Sequence, residues 1–197
     1  DDTTLVKILS EKFLFKRYEG RFGNQPTPEQ IEESLEFIQK HFVMLTRRVS
    51  NAKLSPEYFW NMALKFQDKH GVKIDSCVID SWKDMRHDYS MRDDKYLEHI
   101  LSVRNAIAED NQIHIHTVIH PPKPMPNQNG EYPIPDPYKM KGGSEWYNSG
   151  KSIIVVHRPD KETNEALVRI CKAKPREVGE LGDCMLKFDV AKSRYYY

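Results

Sequence analysis

The sequence has few of the features that mark membrane, disulfide-stabilised or zinc-finger proteins. Its three cysteines, Cys77, Cys171 and Cys184, are far apart and form no Cys-x-x-Cys pair, which disfavours a disulfide framework and a zinc finger. No apolar run approaches the ~20 residues that a membrane-spanning helix requires. The net charge is only +1, so any nucleic-acid-binding surface must be local. We expect the cysteines to be buried thiols in a reducing compartment.

The length and composition fit one soluble domain with a real core. The chain has 197 residues, of which 39% are hydrophobic and 30% charged, and it contains no internal repeat. Its first residues, Asp1-Asp2-Thr3-Thr4, do not resemble a signal peptide. We expect both ends to be internal boundaries of a longer protein.

Apolar residues at helical spacing predict three helices in the first 71 residues. The first covers Leu5–Leu14, with Thr3 or Thr4 as its cap. The second follows Thr27-Pro28-Glu29-Gln30, which combines a capping-box spacing with proline at the first helical position. The third runs from Ser55 to Gly71. A short buried strand is expected between the second and third helices, at Phe42–Leu45.

From Val72 onward, the pattern predicts an α/β fold. A strand at Val72–Asp80, a helix around Leu97–Ile107 and a strand at Ile113–Ile119 indicate parallel strands joined by a crossover helix. Three further strands follow without long helices between them, which favours an antiparallel extension at one edge: Ile153–Val156, Ala166–Cys171 and Met185–Val190. The expected fold is a mostly parallel sheet flanked by helices, with an antiparallel C-terminal hairpin.

Asp80 is the first candidate functional residue. An apolar parallel strand that ends in an acid places the carboxylate at the edge of the sheet where α/β proteins bind ligands. In phosphate-processing enzymes such a carboxylate holds Mg²⁺, often through water. A helix cap or turn residue after the strand is the alternative.

His120 follows the next strand and is expected at the same edge of the sheet. A neutral imidazole there can donate a hydrogen bond to a phosphate oxygen. His114 and His116 precede it at a spacing of two, so one face of the strand carries three histidines. A metal site on that face is conceivable, although strand spacing alone is a weak signal.

Two basic segments are candidate binding surfaces. The Pro121–Gly143 loop carries Lys123, Lys139 and Lys141, and ends in a Gly-Gly pair that permits close backbone approach to a phosphate. A solvated surface loop is its alternative. The second segment ends a strand with cations that can reach a neighbouring subunit's nucleotide, or simply form an exposed charged face: Arg169, Lys172, Lys174 and Arg176.

Five segments, in this order, resemble the later motifs of DnaB-like and Twinkle-like hexameric DNA helicases. Cys77–Trp82 resembles a Walker B strand, and Thr117–Lys123 resembles a strand followed by His-Pro-x-Lys. Gly142–Arg158 resembles a Gly-Ser, helix, strand and arginine segment. Val168–Lys174 resembles the basic strand that acts in trans, and Gly182–Tyr195 resembles the closing hairpin. The resemblance implies that residues 1–197 are part of a RecA-like P-loop NTPase domain, cut at its N-terminal side.

The resemblance also implies roles at the nucleotide. Asp80 would coordinate Mg²⁺ beside ATP or another nucleoside triphosphate, and His120 would sense the γ-phosphate. Lys172 and Lys174 would act on the nucleotide of the adjacent subunit in a ring-shaped homo-oligomer, expected to be a hexamer. Arg158 and Arg176 would also bind nucleotide.

A channel that holds single-stranded DNA is implied as well, in a protein of the cytoplasm of a bacterial or phage-infected cell. The residues that would contact the strand lie in the Ser81–Asp94 and Lys123–Gly143 loops: Arg86, Lys123, Lys139, Lys141, Gly142 and Gly143. Alternatives are a noncatalytic nucleic-acid-binding or assembly module on the same scaffold, and a RecA-like recombinase or clock-type ATPase relative.

The sequence departs from the helicase pattern in two places. It contains no G-x-x-x-x-G-K-[ST] motif, since Gly150-Lys151-Ser152 lacks the earlier glycine and precedes a strand, not a helix. We therefore expect little or no hydrolysis by this chain alone. The family's arginine finger aligns with Lys174, and a lysine cannot make the bidentate guanidinium contact.

Overall fold

The computed structural model describes residues 2–19, 25–45, 54–122, 125–128, 130, 132–160 and 162–197. The helices are α1 (Asp2–Leu14), α2 (Pro28–His41), α3 (Pro56–His70), α4 (Asp93–Asn111) and α5 (Gly143–Ser149). The strands are β1 (Ser76–Asp80), β2 (His114–Val118), β3 (Ser152–His157), β4 (Glu165–Ala173), β5 (Gly182–Asp189) and β6 (Arg194–Tyr196). Short 3₁₀ helices lie at Trp82–Asp84, Pro137–Lys139 and Arg176–Val178.

The chain divides into two compact units. The first comprises residues 1–46, 156–169 and 183–197, and the second comprises residues 47–155 and 170–182. Among the described residues, no helix combines the length and the apolar composition that crossing a membrane demands.

In the first unit, α1 packs against α2 through a small polar contact and an aromatic stack. The hydroxyls of Ser10 and Ser34, both fully buried, hydrogen-bond to each other, and the Phe13 and Phe37 rings stack at 4.5 Å. The capping box before α2 is confirmed: the Gln30 N–H donates to the Thr27 hydroxyl, and the Thr27 N–H donates to the Gln30 side chain.

Two predictions in the first unit are wrong. Thr3 and Thr4 lie inside α1, which already begins at Asp2, so neither is its cap. Phe42–Leu45 is extended at its start but forms no strand, and Val43 is 62% exposed. The Phe42 ring instead lies 6.4 Å from that of Phe37 on α2. A four-residue apolar run does not specify a strand when no partner strand pairs with it.

The core of the second unit forms where α3, α4 and α5 pack against the β1–β2 pair. Alternate residues of β1 point inward, so that Cys77 and Ile79 are buried while Val78 and Asp80 are exposed. Together they form one apolar cluster with side chains from the three helices and β2: Trp60, Cys77, Ile79, Leu97, Ile100, Leu101, Ile113 and Trp146. Burial of this surface is the main stabilising contribution to the unit.

The β1–β2 pair is parallel, as the crossover helix α4 requires. Ser76 lies opposite His114, and Asp80 lies opposite Val118. β1 is shorter than the predicted Val72–Asp80 strand, because the Ile74 N–H donates to the Gln67 side chain of α3 instead of to a neighbouring strand. β2 ends at Val118, one residue before the predicted end.

The remaining strands form a separate four-stranded sheet in the order β3-β4-β5-β6. β5 and β6 are antiparallel, with Phe188 opposite Tyr195, which confirms the closing hairpin. The predicted single, mostly parallel sheet is therefore wrong for the described residues, where two sheets are present. Short connections join β3 to β6 in sequence, and such connections permit antiparallel pairing but no parallel crossover.

Shortening a side chain in the α4 core is expected to destabilise the fold strongly. Leu101 is fully buried in the apolar cluster, so Leu101→Ala should lower the free energy of unfolding by about 2–5 kcal/mol. Urea unfolding followed by circular dichroism measures this change. The neighbouring α4 residue Ser102 is exposed, and Ser102→Ala is the matched control, expected within about 0.5 kcal/mol of the wild type. A loss below about 1 kcal/mol for Leu101→Ala would contradict the packing.

Candidate functional site

Asp80 and His120 follow neighbouring parallel strands and lie at the same edge of the β1–β2 sheet. Asp80 ends β1 opposite Val118, and His120 comes two residues after that position. Both side chains are exposed, and among the described residues neither makes a hydrogen bond or an ion pair. The predicted juxtaposition at one edge is confirmed, although His120 lies beyond the strand and not at its last residue.

A metal ion at this edge would need ligands besides the protein. Within the described residues, no group of three or more histidine, cysteine or acidic side chains is close enough to hold a metal. A single exposed carboxylate fits Mg²⁺, which keeps several waters and is often bound through one or two carboxylates plus substrate phosphates. His114 and His116 lie on the exposed face of β2, with ring centroids 6.3 Å apart, and no third ligand joins them.

The turn after Asp80 is held in place by hydrogen bonds and aromatic contacts. Ser81 is buried, and its hydroxyl donates to the Asp84 carboxylate at 2.7 Å. The Trp82 ring meets the Trp146 ring edge-on at 5.0 Å, and the His87 ring bonds the Trp82 carbonyl through Nε2 at 2.9 Å. The position of the Asp80 carboxylate therefore depends on a packed turn and not on a free loop.

Arg86 lies on a cleft between this turn, the start of α3 and α4. The cleft has a volume of about 540 Å³ and is lined by Ser55, Glu57, Arg86, His87, Asp88, Tyr89, Tyr96 and Ile100. Burial, together with the nearby Glu57 and Asp88 carboxylates, raises the pKa of Tyr96. The cleft thus pairs a guanidinium with two acids, and its charge is mixed instead of uniformly positive.

The Gly142-Gly143 pair makes a close approach, but to its own chain. Gly142 has a φ of 70°, which favours glycine, and a side chain there would collide with Leu97 of α4. Gly143 is buried, and a Cβ at this position would lie 2.6 Å from the Pro137 carbonyl oxygen. Packing accounts for both glycines, and their contact with DNA stays a prediction.

The lysines of the preceding loop differ in their surroundings. Lys139 is exposed in the 3₁₀ helix before α5. Lys141 is exposed as well, but its ammonium pairs with the Asp93 carboxylate at 2.6 Å. Lys123 lies outside the described residues.

The predicted trans-acting cations divide into a buried and an exposed set. Lys172 is 7% exposed, and its ammonium donates to the carbonyls of Tyr147 and Asn148 at the C-terminal end of α5. Burial, and secondarily the nearby Lys174, lowers its pKa. Lys174 and Arg176 are exposed beyond the end of β4.

Arg158 belongs to the first unit, whereas the other candidate residues above belong to the second. It is exposed just after β3, and its guanidinium donates to the Thr163 carbonyl at 3.1 Å. Arg169 likewise lies in the first unit, where it forms a two-bond contact with Asp183.

Sequence reasoning missed the contribution of α5. Trp146 and Tyr147 of this helix contact the turn after Asp80 and the end of β4, respectively. Arg104 of α4, which is 8% exposed, donates to the Ser149 carbonyl at the end of α5. The adjacent aromatics after a Gly-Gly pair were the available signal, because aromatic rings at a helix start usually find a packing partner.

Comparison by sequence finds no relative: no protein-family model matches the chain, and no curated protein matches it. Comparison by structure does. A solved structure of the ATPase domain of a DnaB-like helicase has a TM-score of 0.72 and 12% identity, over 99% of this chain and 70% of that one. A second, described as a DnaB-like replicative helicase and its interactions with primase, has a TM-score of 0.71 and 13% identity, over 99% and 48%.

These similarities define the fold class as that of RecA-like helicase ATPase domains. More particularly, the chain has the fold of the ATPase domain of DnaB-like helicases, of which it spans the lengths given above. The family named by the sequence motifs is therefore confirmed at the level of the fold.

Adding a methyl group at Gly143 is expected to destabilise the turn before α5. Gly143→Ala should lower the free energy of unfolding by about 1–3 kcal/mol, because the new Cβ meets backbone atoms that cannot move aside. Gly182→Ala is the control, since no atom lies within 4 Å of a Cβ built there. Urea unfolding of both variants measures the difference, and equal stabilities would contradict the close approach.

Proposed function

We propose that this chain is part of a nucleoside-triphosphate-driven DNA helicase motor that moves on single-stranded DNA. The fold supports a helicase-related motor domain. The single observation that carries the finer proposal is the sheet edge where the unpaired Asp80 carboxylate and the His120 ring lie together. An acid and an imidazole at the carboxyl end of parallel strands suit the phosphate end of a nucleotide.

Asp80 would hold Mg²⁺ bound to ATP, and the metal would supply charge stabilisation at the transferring phosphate. Because Asp80 has no hydrogen-bonding partner among the described residues, its oxygens are available for water or metal. The packed turn at Ser81–Asp84 holds the strand end, which lowers the entropic cost of placing the carboxylate.

His120 would donate a hydrogen bond to the γ-phosphate. It lies at the start of the chain segment that leads to Lys139 and Lys141, so a change at the phosphate would reach those lysines along a short stretch of sequence. This arrangement supports a coupling role between nucleotide and DNA.

Arg86, Lys139 and Lys141 would contact the backbone of single-stranded DNA. With a net charge of +1, binding must come from such local cations, and it should depend on salt. The structure gives Gly142 and Gly143 packing roles that shape the turn beside these lysines.

Lys174, Arg176 and Arg158 would act on nucleotide at the contact with an adjacent subunit, in a ring that is expected to be a hexamer. The exposure of all three side chains supports this role. A lysine at position 174 supplies a point charge in place of the planar guanidinium of an arginine finger.

Removing the Lys139 ammonium is expected to weaken DNA binding by the 197-residue chain. Lys139→Ala should lower the affinity for a fluorescent oligo-dT several-fold, and should reduce the slope of log K against log salt by about 0.7, the value for one lost contact with a single strand. Fluorescence anisotropy from 50 to 200 mM NaCl measures both quantities.

Lys151→Ala is the matched control for that experiment. Lys151 is equally exposed but forms an ion pair with Glu109 at 3.0 Å, outside the proposed DNA surface. Its loss should leave affinity and slope unchanged. Wild-type slopes in both variants, or no binding by the wild type, would contradict the proposed DNA surface.

A further inference from the structure

We infer that Lys172 is a positioning residue that fixes helix α5 and the lysine-bearing segment before it, and that it is not a ligand of a neighbouring subunit's nucleotide. Only the meaning given to Lys139 rests on the proposed function. The contacts of Lys172 with α5 stand independently of that function.

The ammonium of Lys172 is fully engaged within its own chain. It donates to the Tyr147 carbonyl and, at 3.2 Å, to the Asn148 carbonyl, and it lies 5.1 Å from the centroid of the Tyr147 ring. These carbonyls are among the last of α5 and lack partners in the helix. A cation at this end of a helix is also favoured by the helix dipole.

The contact between β4 and α5 is reciprocal. The Tyr147 hydroxyl donates to the Cys171 carbonyl at 3.1 Å, so adjacent residues of β4 each bond the same tyrosine. Lys172 is only 7% exposed, and withdrawing its ammonium would leave buried carbonyls without a donor. Side chains alternate along a strand, which explains why Lys172 turns toward α5 while the chain beyond β4 carries Lys174 into solvent.

A short series of contacts leads from Lys172 to the candidate DNA-binding lysine. The Tyr147 ring under the ammonium stacks on the Tyr138 ring, with centroids 4.2 Å apart and planes 26° from parallel. Tyr138 lies in the 3₁₀ helix whose next residue is Lys139. The cation, the two rings and Lys139 are therefore placed by one another.

The other side of α5 leads to the turn after Asp80. Trp146, next to Tyr147, meets Trp82 edge-on, and the Arg104 guanidinium lies 5.9 Å from the Trp146 ring centroid. Arg104 also donates to the Ser149 carbonyl at 3.2 Å. Two buried cations, one from α4 and one from β4, thus bind the C-terminal carbonyls of this seven-residue helix.

The test compares three variants of the 197-residue chain: Lys172→Met, which keeps the stem and removes the charge, Lys174→Met, and the core variant Ile113→Val. Hydrogen exchange should show the α5 amides of Trp146 and Gly150 exchanging about tenfold faster in Lys172→Met and unchanged in Lys174→Met. Acylation of the wild-type chain with an amine reagent should modify Lys174 at least about tenfold faster than Lys172, because only the exposed amine is accessible.

A third measurement separates positioning from a general loss of stability. Lys172→Met should weaken oligo-dT binding to about the extent of Lys139→Ala, while Ile113→Val, chosen as a destabilised core variant, should bind like the wild type. Equal effects of Lys172→Met and Ile113→Val would overturn the positioning of Lys139.

The outcomes distinguish this inference from the proposed function. Acylation of Lys172 as fast as Lys174, or unchanged α5 exchange in Lys172→Met, would overturn the inference whatever the chain binds. The acylation rates are measured on the wild type, so they decide the matter even if Lys172→Met does not fold. If the exchange and acylation results hold while the wild type binds no DNA, the hold on α5 is upheld and the proposed function fails.

Discussion

The parallel pairing of β1 with β2 is the constraint on which the candidate site depends. Two parallel neighbours require a crossover, and α4 supplies it while packing Leu97, Ile100 and Leu101 onto the inner face of the pair. The same geometry brings the ends of both strands to one edge. Asp80 and His120, forty residues apart in sequence, lie together for that reason.

Helix α5 is short, and its contacts explain how it is held. A seven-residue helix is not stable by itself, so its stability must come from packing and from groups that bind its ends. Gly142 and Gly143 allow its start to lie against Leu97 and the Pro137–Tyr138 backbone, and Arg104 and Lys172 bind carbonyls at its end. The helix in turn contacts the turn after Asp80 and the segment of Lys139.

Features with local causes could be predicted from the sequence. The capping box at Thr27, the cap at Ser55 and the left-handed Gly71 each depend on a few neighbouring residues, and all three are present. The shared edge of Asp80 and His120 followed from one rule about parallel strands. Thr3 and Thr4 show the limit, because capping chemistry permits several starting points and the helix began at an earlier one.

Features set by tertiary contact could not be predicted. Strand alternation places Lys172 on one face of β4, but nothing in the pattern says that α5 covers that face. Charge alone suggested an exposed cation, whereas two carbonyls and a tyrosine ring stabilise a buried one. The separation into two sheets likewise depends on which strands find partners, and the order of helices and strands along the chain does not specify it.

The account makes Asp80 the residue on which nucleotide chemistry depends, and hydrolysis tests this most directly. The measurement is ATP turnover, with and without single-stranded DNA, by a polypeptide that joins this chain to a phosphate-binding loop, compared with its Asp80→Asn variant. Asp80 is exposed and unpaired, so the substitution should leave thermal unfolding unchanged. Turnover should fall about a hundredfold or more, because the amide no longer supplies the anionic ligand for Mg²⁺. Wild-type turnover in the variant would contradict the account.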